Sequence, residues 1–415
     1  MKEKAFPGCN LPPEMQEKAD RMNLEENLVP PYEPLPPPFD SKTPLSEIIR
    51  KSTKIREGFT RTIYGEIPPR CEKLSFRLTS SGQAFDGLAE RREIDIVCEN
   101  HGQSRTLRML LYLPLRRQGK IPCFLGLNGC GNLSTTKDPG VTFVPFHRYA
   151  DPSPWLDDGR VDENQRGLYE HRWQFEKVLA AGFASATVCQ WDICADYPDS
   201  LYDGILSLFY SREELLSPQR QTACLSAWVW GLQRCLDALE TIPEIDSHRL
   251  IVHGLSRRGK TTLWLGANDP RPAMLVSCCS GTMGAKMTRR YFGENIEWLD
   301  NWHKYWFVPF FPKFIGYDTE IPLDQQQLMA LIAPRILYVA SAEDDAYADP
   351  YGEFLATKIA SAAWGEKGLP PDAEFPKPGQ AIGNSAVRYF IRPGGHDCNE
   401  ENWNDILKFA SDKFL

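Results

Sequence analysis

Apolar residues along this chain fall into two rhythms that alternate. Short continuous runs of strand type stand at residues 74–78, 93–97, 107–113 and 122–127. The first three predict an antiparallel edge that leads into a parallel sheet. Beyond them, stretches with helical spacing alternate with further apolar runs. A helix over 173–181 precedes a strand at 184–188, and a long helix over 222–240 precedes a strand at 249–253. A helix then leads to a strand at 273–277, and one over 324–332 leads to a strand at 335–340. A helix over 351–364 and a loop rich in Pro and Gly precede a strand at 387–391, and a helix over 401–415 closes the chain. Short apolar strands separated by helices require a mostly parallel sheet covered on both faces, so the pattern predicts an α/β fold.

The N-terminal stretch breaks this rhythm. Proline and charge dominate it, ending in Pro30-Pro31-Tyr32-Glu33-Pro34-Leu35-Pro36-Pro37-Pro38. Such a run favours extended backbone and excludes a helix or a central strand. It either wraps the body or stands off as a semi-rigid arm. Thr43-Pro44 then starts a helix, with Leu45, Ile48, Ile49, Ile55, Phe59 and Ile63 as its stripe and Pro68-Pro69 as its end. The expected organisation is an arm and helix over 1–70, then a catalytic domain over 71–415 with an aromatic insertion near 291–323.

Composition narrows the partners. With 415 residues and 42% hydrophobic content, the chain can bury a sizeable core. A formal charge of −8 disfavours nucleic acid and anionic membrane surfaces. No apolar stretch is long enough to span a bilayer, and the opening Met1-Lys2-Glu3-Lys4-Ala5-Phe6-Pro7 is not of signal-peptide type. The 12 cysteines show no C-x-x-C pairing, so neither a zinc site nor a stapled mini-domain is indicated. A cytoplasmic protein with reduced thiols is the expectation for the sequence as given.

The candidate chemistry centres on Ile251-Val252-His253-Gly254-Leu255-Ser256-Arg257-Arg258-Gly259-Lys260. A strand enters a glycine, a serine stands alone, and helix-compatible residues follow. That strand-to-helix elbow exposes a nucleophile where a new helix aims its N–H groups. A plain helix-capping serine would leave a similar trace. Two downstream loops favour the nucleophile. Arg392-Pro393-Gly394-Gly395-His396 follows the last strand, and Ser341-Ala342-Glu343-Asp344-Asp345 follows the one before it. The order Ser, acid, His is that of an α/β-hydrolase triad, with all three at the carboxyl edge of the sheet. His396 is the expected base. Asp345 is the first choice of acid and Glu343 the second, while Asp349-Pro350 has the form of a helix cap. The N–H of Arg257 is the expected oxyanion donor, with a second in the glycine-rich residues 128–132.

Gly254-Leu255-Ser256-Arg257-Arg258-Gly259-Lys260 resembles the G-C-S-R-x-G-K elbow of the glucuronoyl esterases. The similarity extends through Ser280-Gly281, Arg289-Arg290-Tyr291-Phe292-Gly293-Glu294, Ala333-Pro334-Arg335 and the two triad loops, and takes in Pro30-Pro31-Tyr32 as in proteins named acetyl xylan esterase. The resemblance implies an α/β-hydrolase fold, an oxyanion role for the Arg257 side chain, and sugar-hydroxyl contacts from Lys260 and Glu294. Two positions depart from it. Many members carry the acid directly before the Ser-Gly pair, where this chain has Cys279, and others carry it in the loop that holds Asp345. A sugar-stacking tryptophan of the family is Tyr347 here.

Two clusters carry weaker implications. Trp298, Trp302, Trp306, Phe307, Phe310, Phe311 and Phe314 form either a cleft wall for sugar rings or ordinary core. Arg257, Arg258, Lys260, Arg289 and Arg290 would suit a uronic acid, with plain surface charge the simpler reading for Arg258 and Arg290. The expected activity is serine ester hydrolysis on a carbohydrate, of a uronic acid ester or, alternatively, an acetyl ester, with no metal or organic cofactor required. A non-catalytic carbohydrate-binding relative is the alternative that Cys279 motivates.

Overall fold

The computed structural model describes residue 17 and residues 21–144, 146–147, 160–197 and 200–415. The opening heptapeptide therefore lies outside the described residues. Contacts divide the chain into two units. One comprises Met1–Gly65, Gly254–Asn268 and Leu275–Asp397; the other comprises Glu66–His253, Asp269–Met274 and Cys398–Leu415.

The second unit contains β1 (Lys73–Ala84), β2 (Ala89–Asn100), β3 (Gln103–Pro114), β4 (Ile121–Asn128) and β5 (Ala184–Cys189), with most of β6 (Ile245–Leu255). Their order is β1-β2-β3-β5-β4-β6. The first three strands are antiparallel and β3 meets β5 antiparallel, while β4 runs parallel to both β5 and β6. The antiparallel edge leading into parallel strands is as the patterning predicts. Its strands are longer than the apolar runs, because alternating polar positions along β1 remain paired with β2 while facing solvent. Every residue of β4 and β5 is buried, as their continuous apolar runs require.

The first unit contains α1 (Leu45–Phe59), α4 (Arg257–Asn268), α5 (Ile296–His303), α6 (Gln325–Ala330) and α7 (Pro350–Ala360); the other holds α2 (Phe175–Ala180), α3 (Cys224–Leu239) and α8 (Glu400–Phe414). Strands β7 (Pro272–Cys278), β8 (Ile336–Ala342), β9 (Gln380–Ile382) and β10 (Val387–Arg392) follow the order β7-β8-β10-β9. β8 and β10 are parallel, so the loops after both leave the same edge. Asp349 caps α7 by accepting the Gly352 N–H at 3.0 Å, as its Asp-Pro pair predicts.

One expectation needs correction. The stripe of α1 is not continuous: Ile55 and Phe59 are buried, whereas Leu45 and Ile49 are exposed. Only its C-terminal half meets the core, with Phe59 and Tyr64 stacked at 5.8 Å and Tyr64 on Trp264 at 4.8 Å. The proline-rich segment is tied down within its own unit. Arg289 donates to the Glu33 carbonyl at 2.8 Å and Gln326 to that of Leu35 at 3.1 Å.

Candidate active site

Ser256 sits at the elbow between β6 and α4 with φ of 61°. A serine held in that left-handed region is strained by about 1–3 kcal/mol, which the surroundings must impose. They do so through backbone. The Ser256 N–H donates to the Cys278 carbonyl at 2.9 Å, and its own carbonyl accepts from Gly259 at 2.8 Å and Lys260 at 3.1 Å. Both motif glycines are required. A Cβ on Gly254 would lie 2.3 Å from the Arg258 carbonyl group, and one on Gly259 would lie 2.8 Å from both Ser277 Oγ and Ser280 Cβ. The Arg257 N–H falls in the first turn of α4, where helix geometry supplies no intrahelical acceptor.

The expected base is held by the expected acid. His396 Nδ1 lies 2.7 Å from Asp345 Oδ2; Asp345 is buried, while the imidazole keeps 38% of its surface. Glu343, the second candidate, is exposed. Its N–H donates to the Arg392 carbonyl at 2.9 Å, and that of Asp344 to the Gly394 carbonyl at 3.0 Å, which ties the two loops together. Cys279 follows the residue that accepts from Ser256, and its N–H donates to the Ala340 carbonyl at 2.7 Å. Its sulfur, a carboxylate oxygen of Asp345 and a ring nitrogen of His396 all lie within 4.8 Å of one another. Histidine and carboxylate are thus paired, and the backbone of Ser256 is bonded to the residue before Cys279.

Two supporting residues escaped the sequence reading. Arg392 is buried and folds the His396 loop over itself, donating to the carbonyls of Pro393 at 2.6 Å and Asp397 at 2.9 Å. A buried arginine ending a strand just before Pro-Gly-Gly is the signal that marks it. Glu353 on α7 accepts the N–H groups of Ser280 at 2.7 Å and Gly281 at 3.0 Å, and bonds the Ser341 hydroxyl. Burial is the largest influence on its carboxyl, pushing it up to about 7. No local pattern distinguishes it from any first-turn glutamate.

Lys260 and Glu294 form a buried pair at 2.8 Å, each no more than 4% exposed at the side chain. Lys260 also donates to the Ser280 carbonyl at 2.6 Å, and Glu294 accepts the Tyr347 hydroxyl at 2.6 Å. Tyr347 meets Trp298 edge to face at 6.0 Å, in a cluster with Met22, Leu24 and Trp302. The aromatic segment is therefore mostly core: Trp298, Trp306, Phe307 and Phe311 are buried, while Phe310 is exposed. Arg257 stacks over the Trp306 ring at 4.6 Å, and that ring lies parallel to His303 at 3.8 Å.

The positive cluster divides. Arg290 is not surface charge. It is 2% exposed and paired with Asp349 at 3.0 Å and with Glu26 at 2.9 Å, because both acids come from distant parts of the chain. Arg289 is absorbed by backbone carbonyls, including that of Ile321 at 2.8 Å. Residues 128–132 belong to the other unit, where Asn128 donates to Asn132 at 2.7 Å and to Thr187 at 3.0 Å.

Comparison with known proteins follows the same lines. The family described as glucuronyl esterase, fungi, matches residues 176–368. A relative named carbohydrate esterase MZ0003, from an unknown prokaryotic organism, is 33% identical over 365 residues, covering 87% of this chain and 84% of the relative. Among solved structures, a glucuronoyl esterase from Solibacter usitatus has a TM-score of 0.84 at 34% identity, covering 93% of this chain and 99% of that one. A promiscuous CE15 esterase from a marine bacterial metagenome has a TM-score of 0.84 at 32% identity, covering 95% and 100%.

Proposed function

The chain belongs to the glucuronoyl esterase family of α/β-hydrolases, CE15, and is a serine carboxylic-ester hydrolase; from that premise we propose that it cleaves uronic acid esters with Ser256, His396 and Asp345. The observation that carries this reading is the 2.7 Å contact between a buried carboxylate and a solvent-reaching imidazole, in a unit whose elbow serine is held in left-handed backbone. Asp345 bonds the Nδ1–H, which leaves the Nε2 lone pair to take the Ser256 proton. The alkoxide attacks the ester carbonyl, and the negative charge that develops on oxygen meets the Arg257 N–H at the start of α4. His396 then protonates the leaving alcohol. Water, activated by the same ring, releases the uronic acid and restores the serine.

The Lys260–Glu294–Tyr347 network is read as the sugar-hydroxyl site. Each member already holds another, so their donors and acceptors are pre-oriented, and no conformational entropy is lost in aiming them. The Arg257 guanidinium, fixed on the Trp306 face, is suited to an anionic or developing negative group. An acetyl ester, which supplies its acid from acetate, would use none of these contacts on the acyl side.

The test is a substrate pair. Benzyl glucuronate and an acetylated xyloside are compared by kcat/KM. The uronate reading expects the former to exceed the latter by about tenfold or more, the worth of one or two good polar contacts in the transition state. A preference for the acetylated sugar would replace the uronate assignment with an acetyl esterase.

A further inference from the structure

We propose that Cys279, Asp345 and His396 form an inhibitory site for a thiophilic divalent cation of the zinc class. The proposal rests on the catalytic reading of His396 and adds a mode of control at that same rim. A thiol, a carboxylate and an imidazole are a ligand set that zinc accepts, and three protein ligands with one open position is the arrangement of an accessible rather than a closed site. The three ligand atoms lie within 4.8 Å of one another. Tetrahedral zinc with these donors needs them about 3.3–3.6 Å apart, so the longest separation must close by little more than about 1 Å and, if Nδ1 binds, its 2.7 Å contact with Asp345 must open.

The local structure favours such a contraction over a collapse. Cys279 and Asp345 are buried, whereas His396 keeps 38% of its side-chain surface, so a cation can enter past the ring and keep a water on its open side. The Cys279 backbone is pinned by its N–H bond to the Ala340 carbonyl, at φ of 44°. Its side chain contacts the Asp397 carbonyl at 3.7 Å, a weak sulfur contact that a metal bond would outweigh. Binding is balanced by one proton: the Cys279 thiol loses it to solvent, the sulfur ligates as thiolate, and neutral His396 contributes a lone pair while keeping its single N–H on the other nitrogen. Either way the base is lost. If Nδ1 binds the cation, the remaining proton occupies Nε2; if Nε2 binds it, the lone pair that would face Ser256 is occupied.

Full-length protein is titrated with Co2+ alone, then with Zn2+ as competitor, while absorption and hydrolysis of benzyl glucuronate are followed. The expected result is one Co2+ per chain with a thiolate-to-cobalt band, displacement by Zn2+, and inhibition that a chelator reverses. Cys279→Ser should lose the band, and its inhibition should weaken by about tenfold or more. Cys278→Ser, which removes the neighbouring buried thiol, should keep both. Absence of the band in wild type overturns the site. So does its persistence in Cys279→Ser, or its loss in Cys278→Ser alone. Fluorophosphonate labelling of metal-free protein reads the catalytic assignment separately: an unlabelled Ser256 would remove the hydrolytic role while leaving the cobalt spectrum to decide the cation site.

Discussion

Asp345→Asn isolates the part of the site that the geometry defines most closely. The change keeps the shape of a side chain that is 2% exposed and removes its charge. Two losses follow. An amide can donate to Nδ1, which places the ring proton on Nε2 and leaves no lone pair for Ser256. The imidazolium also loses a counter-charge. With Oδ2 at 2.7 Å from Nδ1, the two charges are centred about 4 Å apart, worth about 4 kcal/mol at an effective dielectric of 20. That corresponds to a fall in kcat of about 10³-fold, with KM expected to change little because the carboxylate is buried against the ring. Cys279→Asp in the Asp345→Asn background supplies a second carboxylate on the same side of the ring, since the sulfur already lies within 4.8 Å of it. Recovery of about tenfold or more is expected. The assay is kcat on benzyl glucuronate, with Glu343→Gln as the control. An Asp345→Asn enzyme within a few-fold of wild type, or an equal loss in Glu343→Gln, would refute the assignment.

Other outcomes follow from the same contacts. Gly254→Ala places a methyl 2.3 Å from backbone of Arg258, so the elbow must open; activity should fall below detection while circular dichroism shows a folded protein with a lowered Tm. Lys260→Met strands the buried Glu294 carboxylate and should cost about 3–5 kcal/mol by denaturant unfolding, with Lys260→Met/Glu294→Gln recovering part of it. Glu353 is a carboxyl whose folded-state value is raised from 4.5 to about 7. The fold therefore prefers it neutral, so its contribution is fully present below pH 4.5 and is lost as pH rises through 7, by at most about 3 kcal/mol. Glu353→Gln should flatten that part of the stability–pH curve, measured as denaturant midpoints from pH 4.5 to 8.5.

What the sequence discloses here is what local backbone dictates. The elbow is legible because glycine, serine and glycine at that spacing leave few alternatives, and the structure shows Gly254 against the Arg258 backbone and Gly259 against the Ser277 and Ser280 side chains. The antiparallel edge that leads into parallel strands is legible from the succession of short apolar runs. Contacts made across long separations are not. Arg290 reads as surface charge until Glu26 and Asp349 are brought to it, and Arg392 and Glu353 gain their roles only once the loops they support converge. The choice between Asp345 and Glu343 is of the same kind: two carboxyls two residues apart leave a strand edge in different directions, and only one meets the ring. Leu45 and Ile49 mislead for the opposite reason, since a periodic stripe shows where a helix could bury a face, not whether anything covers it. The short β9 has too few residues for any pattern, and it pairs because β10 offers an edge.

The central claim is that the Ser256 hydroxyl is made nucleophilic by His396. It is tested most directly by reacting the metal-free protein with a fluorophosphonate and reading the adduct by intact mass and peptide mapping, for wild type, Ser256→Ala and His396→Gln. A single adduct on Ser256 in wild type, none in Ser256→Ala, and a rate reduced by about 10²-fold or more in His396→Gln is the expected result. Unreacted Ser256 in folded wild-type protein, or equal labelling with and without the imidazole, would contradict it.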